Sequence, residues 1–117
     1  MLLVFTASAK SDNKGVYVLG VSISFSDTIA YFTEVQLIDG VQLDEKTKFL
    51  PDRQHYAYEL QDYMAVQEGQ PGRTSIVLFA KNEKSLKKKE AKVKNRLQRR
   101  RGLTVRYLGE KFKFTRP

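Results

Sequence analysis

The seven residues TSIVLFA, at positions 74–80, constrain this chain most. After Ser75 the run is wholly apolar and rich in branched and aromatic side chains, as in a strand buried within a sheet. The segments on either side have a different rhythm. Residues 53–68, RQHYAYELQDYMAVQE, place Tyr56, Leu60, Tyr63 and Gln67 on one helical stripe, with Ala57 and Met64 beside it. Residues 85–101, SLKKKEAKVKNRLQRRR, carry a thinner stripe of Leu86, Val93 and Leu97. GQPG at 69–72 stops the first helix, and Gly102 stands where the second should end in a left-handed turn. A last strand pattern, LTVRYLG, follows at 103–109. Strands reached through helices predict an α/β chain with parallel pairing and right-handed crossovers in this half.

The first half reads as a meander. Residues 2–9 are a near-continuous apolar run, and VYVLGVSISF (16–25) and TIAYFTEVQLI (28–38) are rich in β-branched and aromatic residues. SDNKG at 11–15 and Ser26-Asp27 turn the chain between them, and Asp39-Gly40 closes the set. Gly20, inside a strand pattern, predicts a bulge or a close backbone approach. Asp52 and Ser85 are the expected helix caps. The predicted order is β-β-β-α-β-α-β, a five-stranded mixed sheet. With 117 residues, no repeat and no linker, residues 1–117 read as a single domain. The tail EKFKFTRP either extends the last strand or runs on as an arm.

Charge is distributed unevenly. From Lys81 to Arg101 there are eleven Lys and Arg against two acids, Glu83 and Glu90. That window carries +9 of a net +8, so the remaining chain carries −1. Such concentration points to a polyanionic partner. The chain has no cysteine, which removes disulfides and thiolate metal sites and suits a reducing compartment. No run of about 18 apolar residues occurs, and MLLVF is too short for a signal-peptide core, so a cytoplasmic setting without a membrane is expected.

Several motifs together resemble the ribonuclease H family. The family opens with an apolar strand ending in a TDGS-like motif, a glycine-rich turn and a second strand. VFTASAKSDNKGVYVLGVSI has that layout with TASA in the motif's place. HYAYELQDYMAV offers Glu59 where the family's first helix carries a glutamate. IVLFAKNEKS ends its strand at Ala80 where the family has a TDS-like motif, and LTVRYLGEKF keeps Gly109 but has Glu110 where histidine is expected. The resemblance spans almost the whole chain and lacks the family's last helix. It implies a ribonuclease H-like fold whose two-metal phosphodiester chemistry is lost. Both strand-end aspartates are replaced, by Ala7 and Ala80, and Glu59 is a vestige that cannot hold two ions alone. The resemblance further predicts that Ala7, Glu59 and Ala80 converge at one edge of the sheet.

The remaining constellations have ordinary readings. Glu59 and Asp62 share a helix face as an acidic patch. His55, one turn before Glu59, reads as a surface histidine, although a base with an orienting partner has the same spacing. Tyr56, Tyr58 and Tyr63 fit the edge of a core better than a base-stacking surface. No catalytic triad order, phosphate-binding glycine loop or metal-ligand spacing appears, so no cofactor and no metal are expected. The basic segment carries the functional expectation: non-catalytic binding of duplex or structured RNA or DNA. Lys84, Lys87, Lys88, Lys92, Arg96, Arg99, Arg100 and Arg101 are the expected phosphate contacts. The alternatives are a protein–protein or dimerisation module on a degenerate fold, and an enzyme that uses Glu59 and Asp62 at a relocated site.

Overall fold

The computed structural model describes residues 15–117. The elements are β1 (Gly15–Ile23), β2 (Ile29–Phe32), β3 (Gln36–Asp39), α1 (Arg53–Val66), β4 (Thr74–Ala80), α2 (Glu83–Arg101) and β5 (Thr104–Tyr107), followed by a single 3-10 turn at Gly109–Lys111. The α/β class and a five-stranded mixed sheet are therefore present. The five strands are not the expected five. The run at 2–9, with Ala7, lies outside the described residues, and the run at 28–38 is two strands.

That division has a visible cause. Val21 and Ser22 of β1 pair with Phe32 and Tyr31 of β2, whereas Val18 pairs with Gln36 and Gly15 with Asp39 of β3. One extra residue is accommodated between the two ladders, the signature of a β-bulge. The Thr33 N–H donates to the Gly20 carbonyl at 2.9 Å. The Gly20 N–H in turn donates to Thr33 Oγ1 at 2.9 Å, so a side chain replaces a ladder carbonyl. The bulge switches the chain's phase. Ala30 and Phe32 point to one face of the sheet, and Ile38 to the other.

β1 is the central strand. β4 lies along one side, pairing from Tyr17↔Ala80 to Ile23↔Thr74, and β2 with β3 lies along the other. β5 extends the sheet beyond β2 in parallel register, from Ile29↔Thr104 to Phe32↔Tyr107. The expected parallel pairing thus holds for β5 alone. β4 is antiparallel to β1, because the chain leaving α1 returns beside the first described strand and not beside a parallel one.

The side chains of β1 are apolar on both faces, as a strand covered on both sides must be. Val16 and Val18 pack with Tyr56, Leu60 and Met64 of α1, together with Ile38, Val77, Phe112 and Phe114. Leu19, Val21 and Ile23 pack with Leu86 and Leu97 of α2, together with Ala30, Phe32, Ala80 and Leu103. The two helices therefore cover opposite faces. Gly20 sits under α1, where an added Cβ would lie 2.8 Å from Leu60 Cδ2 and 2.9 Å from Phe114 Cζ. The close backbone approach expected there is real.

The caps differ from expectation. Asp52 precedes α1 in a left-handed conformation (φ 58°) and makes no side-chain cap bond. For α2 the cap is Asn82, whose Oδ1 accepts the Ser85 N–H at 2.8 Å. Ser85 is the capped residue and not the cap. Gly102 ends α2 at φ 63°, as its position predicted. The tail is not a free arm: Phe112 and Phe114 are buried against α1, and Phe114 N–H donates to Gln36 Oε1 at 2.7 Å.

Candidate nucleic-acid interface

α2 touches the sheet through a narrow seam. Leu86 and Leu97 are buried and Val93 is half-buried, leaving most of the helix circumference in solvent. Its nineteen residues give a rod about 28 Å long. All eight expected contacts, Lys84, Lys87, Lys88, Lys92, Arg96, Arg99, Arg100 and Arg101, are exposed. All eight lie on one element but not on one face of it, since Lys87 shares the flank of Glu83 and Glu90.

The helix sorts its charges by angle. Glu83 and Glu90 are seven residues apart and share the flank that faces β5. There they line a hollow with Glu34, Val35, Lys87 and Tyr107. Lys87 stands 3.9 Å from Glu83, and the Tyr107 hydroxyl donates to Glu90 Oε2. Partial burial of the Tyr107 ring and that hydrogen bond push its phenol above the ordinary tyrosine value. The acids of α2 are thus spent on its inner flank. Lys84, Lys88, Lys92, Asn95, Arg96 and Arg99 occupy the outward face and the opposite flank, where no acid of the helix reaches. Among the described residues none of those five bases forms an ion pair. Lys92, Asn95, Arg96, Arg99 and Arg100 line a shallow hollow of about 320 Å³.

Two lysines of the same window serve the fold instead. Lys89 donates to the Phe79 carbonyl at 2.8 Å and lies 5.3 Å from the centre of the Phe79 ring. Lys94 lies 5.3 Å from the Tyr107 ring. At the far end of α2, the Arg101 guanidinium stands 5.6 Å from the ring of Phe25, in the loop between β1 and β2. Sequence reading missed Phe25 and Tyr107. Each is a lone aromatic in a turn or a short strand, and only the tertiary structure places it beside a base.

The expected vestige of an active site is not assembled among the described residues. Glu59 lies on α1, where Oε1 accepts the Thr115 N–H at 2.9 Å and Oε2 accepts the Thr115 hydroxyl at 2.5 Å. His55 Nε2–H donates to the Thr115 carbonyl at 2.7 Å and lies 3.7 Å from Glu59 Oε1. The pair grips the tail. Ala80 is packed beneath α2, on the opposite face of the sheet. Glu59 and Ala80 therefore do not converge, and Ala7 is outside the described residues. Asp62 lies with Glu59 beside a hollow that Lys111 and Lys113 also line. Among the described residues no three His, Asp or Glu side chains are grouped as a metal would require. These donors do not fit a two-metal centre: both Glu59 oxygens hold Thr115, and Ala80 offers no oxygen. Tyr56 is buried in the core and Tyr63 half-buried at its edge, while Tyr58 is exposed on α1. No helix of the described residues is long and apolar enough to cross a membrane.

Compared with known proteins, the chain matches no family model, no curated protein and no solved structure.

Proposed function

We propose that this chain is a non-catalytic nucleic-acid-binding domain that grips the phosphate backbone with α2. The observation that carries this reading is the outward basic face of the helix, from which both acids are turned away. Stability does not explain that face. Bases in a last turn interact favourably with the helix dipole, by about 0.3–1 kcal/mol each, which accounts for Arg99, Arg100 and Arg101. It does not account for Lys84, which sits in the first turn at the positive end of the dipole, or for Lys88, which lies past that turn. The i,i+4 pairs Lys84/Lys88, Lys88/Lys92 and Lys92/Arg96 each cost the free helix about 0.2–0.5 kcal/mol. A polyanion laid along the face offsets that repulsion and releases counterions.

Phosphate contacts position a protein without carrying sequence information. Binding is therefore expected to be weak and nearly indifferent to sequence. Fluorescence anisotropy with labelled oligonucleotides over a potassium chloride series tests this. Log K should fall with log salt by about 0.9 per phosphate contacted on duplex DNA. Replacing Lys88, Lys92, Arg96 and Arg99 with glutamine should flatten the slope and weaken binding to every sequence alike. A slope near zero in the unmutated protein would remove the proposal.

The likeness to ribonuclease H enters this reading through motif order alone, and the binding argument does not depend on it. No cleavage of RNA, DNA or hybrid is expected with Mg²⁺ or Mn²⁺, and cleavage abolished by Glu59→Gln would reverse that expectation. A protein-binding role has one specific point in its favour. Tyr58 and Val66 are two helical turns apart and 61% and 73% exposed on the outer side of α1, away from the basic face.

A further inference from the structure

We infer that Phe25 is a stacking platform for an unpaired base, so that the nucleic acid taken by α2 is a single strand or carries one. The inference rests on the reading of α2 as the phosphate-binding element. Single exposed apolar residues are ordinary on protein surfaces, so the 88% exposure of Phe25 is not enough by itself. Its mounting and its neighbours make the case.

The loop that carries the ring is braced at each step. The Ser24 and Ser26 hydroxyls are hydrogen-bonded to each other at 2.9 Å, and Ser26 N–H donates to Ser24 Oγ at 3.1 Å. Asp27 Oδ1 accepts the Ile29 N–H at 3.1 Å, while Asp27 Oδ2 lies 2.8 Å from Arg73 Nη1. Arg73 is buried, and it also donates to the Ser22 and Ile29 carbonyls on either side of the loop. A large apolar ring is thus held out into water on a fixed support, the arrangement that lowers the ordering cost of binding.

The same loop is tied to the end of the basic helix. The Thr28 carbonyl accepts the Thr104 N–H at 2.7 Å, two residues past Gly102. That bond sets Phe25 beside Arg101, whose guanidinium stands 5.6 Å from the ring. A base laid on the open part of the ring would stack on Phe25, while its neighbouring phosphates reach Arg99 and Arg100 and continue along Lys92 and Lys88. A basic track for the phosphates with an aromatic ring on which a base stacks is the means by which single strands are held without sequence preference. The bases of a duplex interior already stack on one another and offer the ring no free face.

Two variants and two probes test the assignment: a labelled DNA strand of about 20 nucleotides, and the same strand annealed to its complement. Phe25→Ala should weaken binding of the single strand on the order of tenfold. It should leave duplex affinity, the salt slope and the far-ultraviolet spectrum unchanged. The chain has no tryptophan, so Phe25→Trp supplies the only indole, which can be excited apart from the tyrosines. Its fluorescence should be quenched by the single strand and not by the duplex. Single-strand affinity unchanged in Phe25→Ala, with the salt dependence of the unmutated protein intact, would overturn the platform and leave the role of α2 standing. Equal quenching by both probes would overturn it as well. Failure of the unmutated protein to bind either probe would remove both readings together.

Discussion

Arg73 is the residue on which most local order depends. Its guanidinium is buried and donates to Ser22 Oγ, the Ser22 and Ile29 carbonyls, Gln70 Oε1 and Asp27 Oδ2, with the Tyr31 ring 5.0 Å away. Each buried acceptor stripped of its partner costs about 1–3 kcal/mol, so Arg73→Met should destabilise by roughly 3 kcal/mol, read as a lower urea midpoint. Asp27 titrates below the ordinary carboxylate value, chiefly because the Ile29 N–H donates to it, with Arg73 adding to the effect. A depressed folded value gives stability that is present at neutral pH and lost as pH falls below about 4. The urea midpoint should therefore drop on acidification, and drop less in Asp27→Asn. Tyr63 behaves in the opposite sense. Burial and its hydrogen bond to Glu68, at 2.7 Å, push the phenol up to about 12. The folded state keeps that proton, so its contribution is full below about pH 10 and is lost as pH rises through about 12. Tyr63→Phe should flatten the alkaline fall in thermal midpoint.

At the scale of elements, α2 separates stability from binding. Its seam and its cap hold it in place, while its outward face does not contribute to the core. Asn82→Ala removes the acceptor of the Ser85 N–H and should cost about 1 kcal/mol in chemical denaturation, with the salt slope of binding unchanged. The four-glutamine variant at Lys88, Lys92, Arg96 and Arg99 should show the reverse pattern. Its melting temperature should hold or rise, since each like-charge pair removed returns about 0.2–0.5 kcal/mol, while its affinity for nucleic acid falls. A variant that lost both together would mean that the basic face is part of the fold. The bulge at Thr33 acts on another element. It changes which face the chain's side chains point to between β2 and β3, so that a single apolar run serves both cores.

At the scale of the molecule, the two faces of one sheet do different work. The face under α2 supports the charged helix, and the face under α1 is closed by Phe112 and Phe114. Phe114 is buried against Tyr56 and Phe112, with ring centres 5.7 and 4.8 Å away. His55 and Glu59 fasten Thr115 just beyond it. Phe114→Ala should therefore cost about 3–5 kcal/mol, as a core substitution does, and calorimetry would show it as a large fall in melting temperature. A loss below 1 kcal/mol would show that the tail is dispensable to the core. Gly20→Ala tests the same closure from beneath, since the new methyl group would meet both Leu60 and Phe114.

What the sequence determined by itself is local. The apolar run at 74–80, the stripes of Tyr56, Leu60 and Met64 and of Leu86 and Leu97, and Gly102 each express a backbone preference or a periodicity within a few residues. The α/β class and the basic helix follow from them. Pairing is not local. Antiparallel and parallel neighbours both accept an apolar strand, so nothing within TSIVLFA shows that it lies antiparallel to β1. Gly20 marked the level of the bulge, but its place in the facing strand was hidden, because Thr33 completes the ladder with a hydroxyl that, in sequence, reads as one more β-branched residue. Glu59 and Ala80 were expected to converge, and only the three-dimensional structure shows them on opposite sides of the sheet. Phe25 was illegible for the same reason: it reads as the last residue of the strand pattern VYVLGVSISF, whereas β1 ends at Ile23 and a hydrogen bond from Thr104 to Thr28 sets the ring beside Arg101.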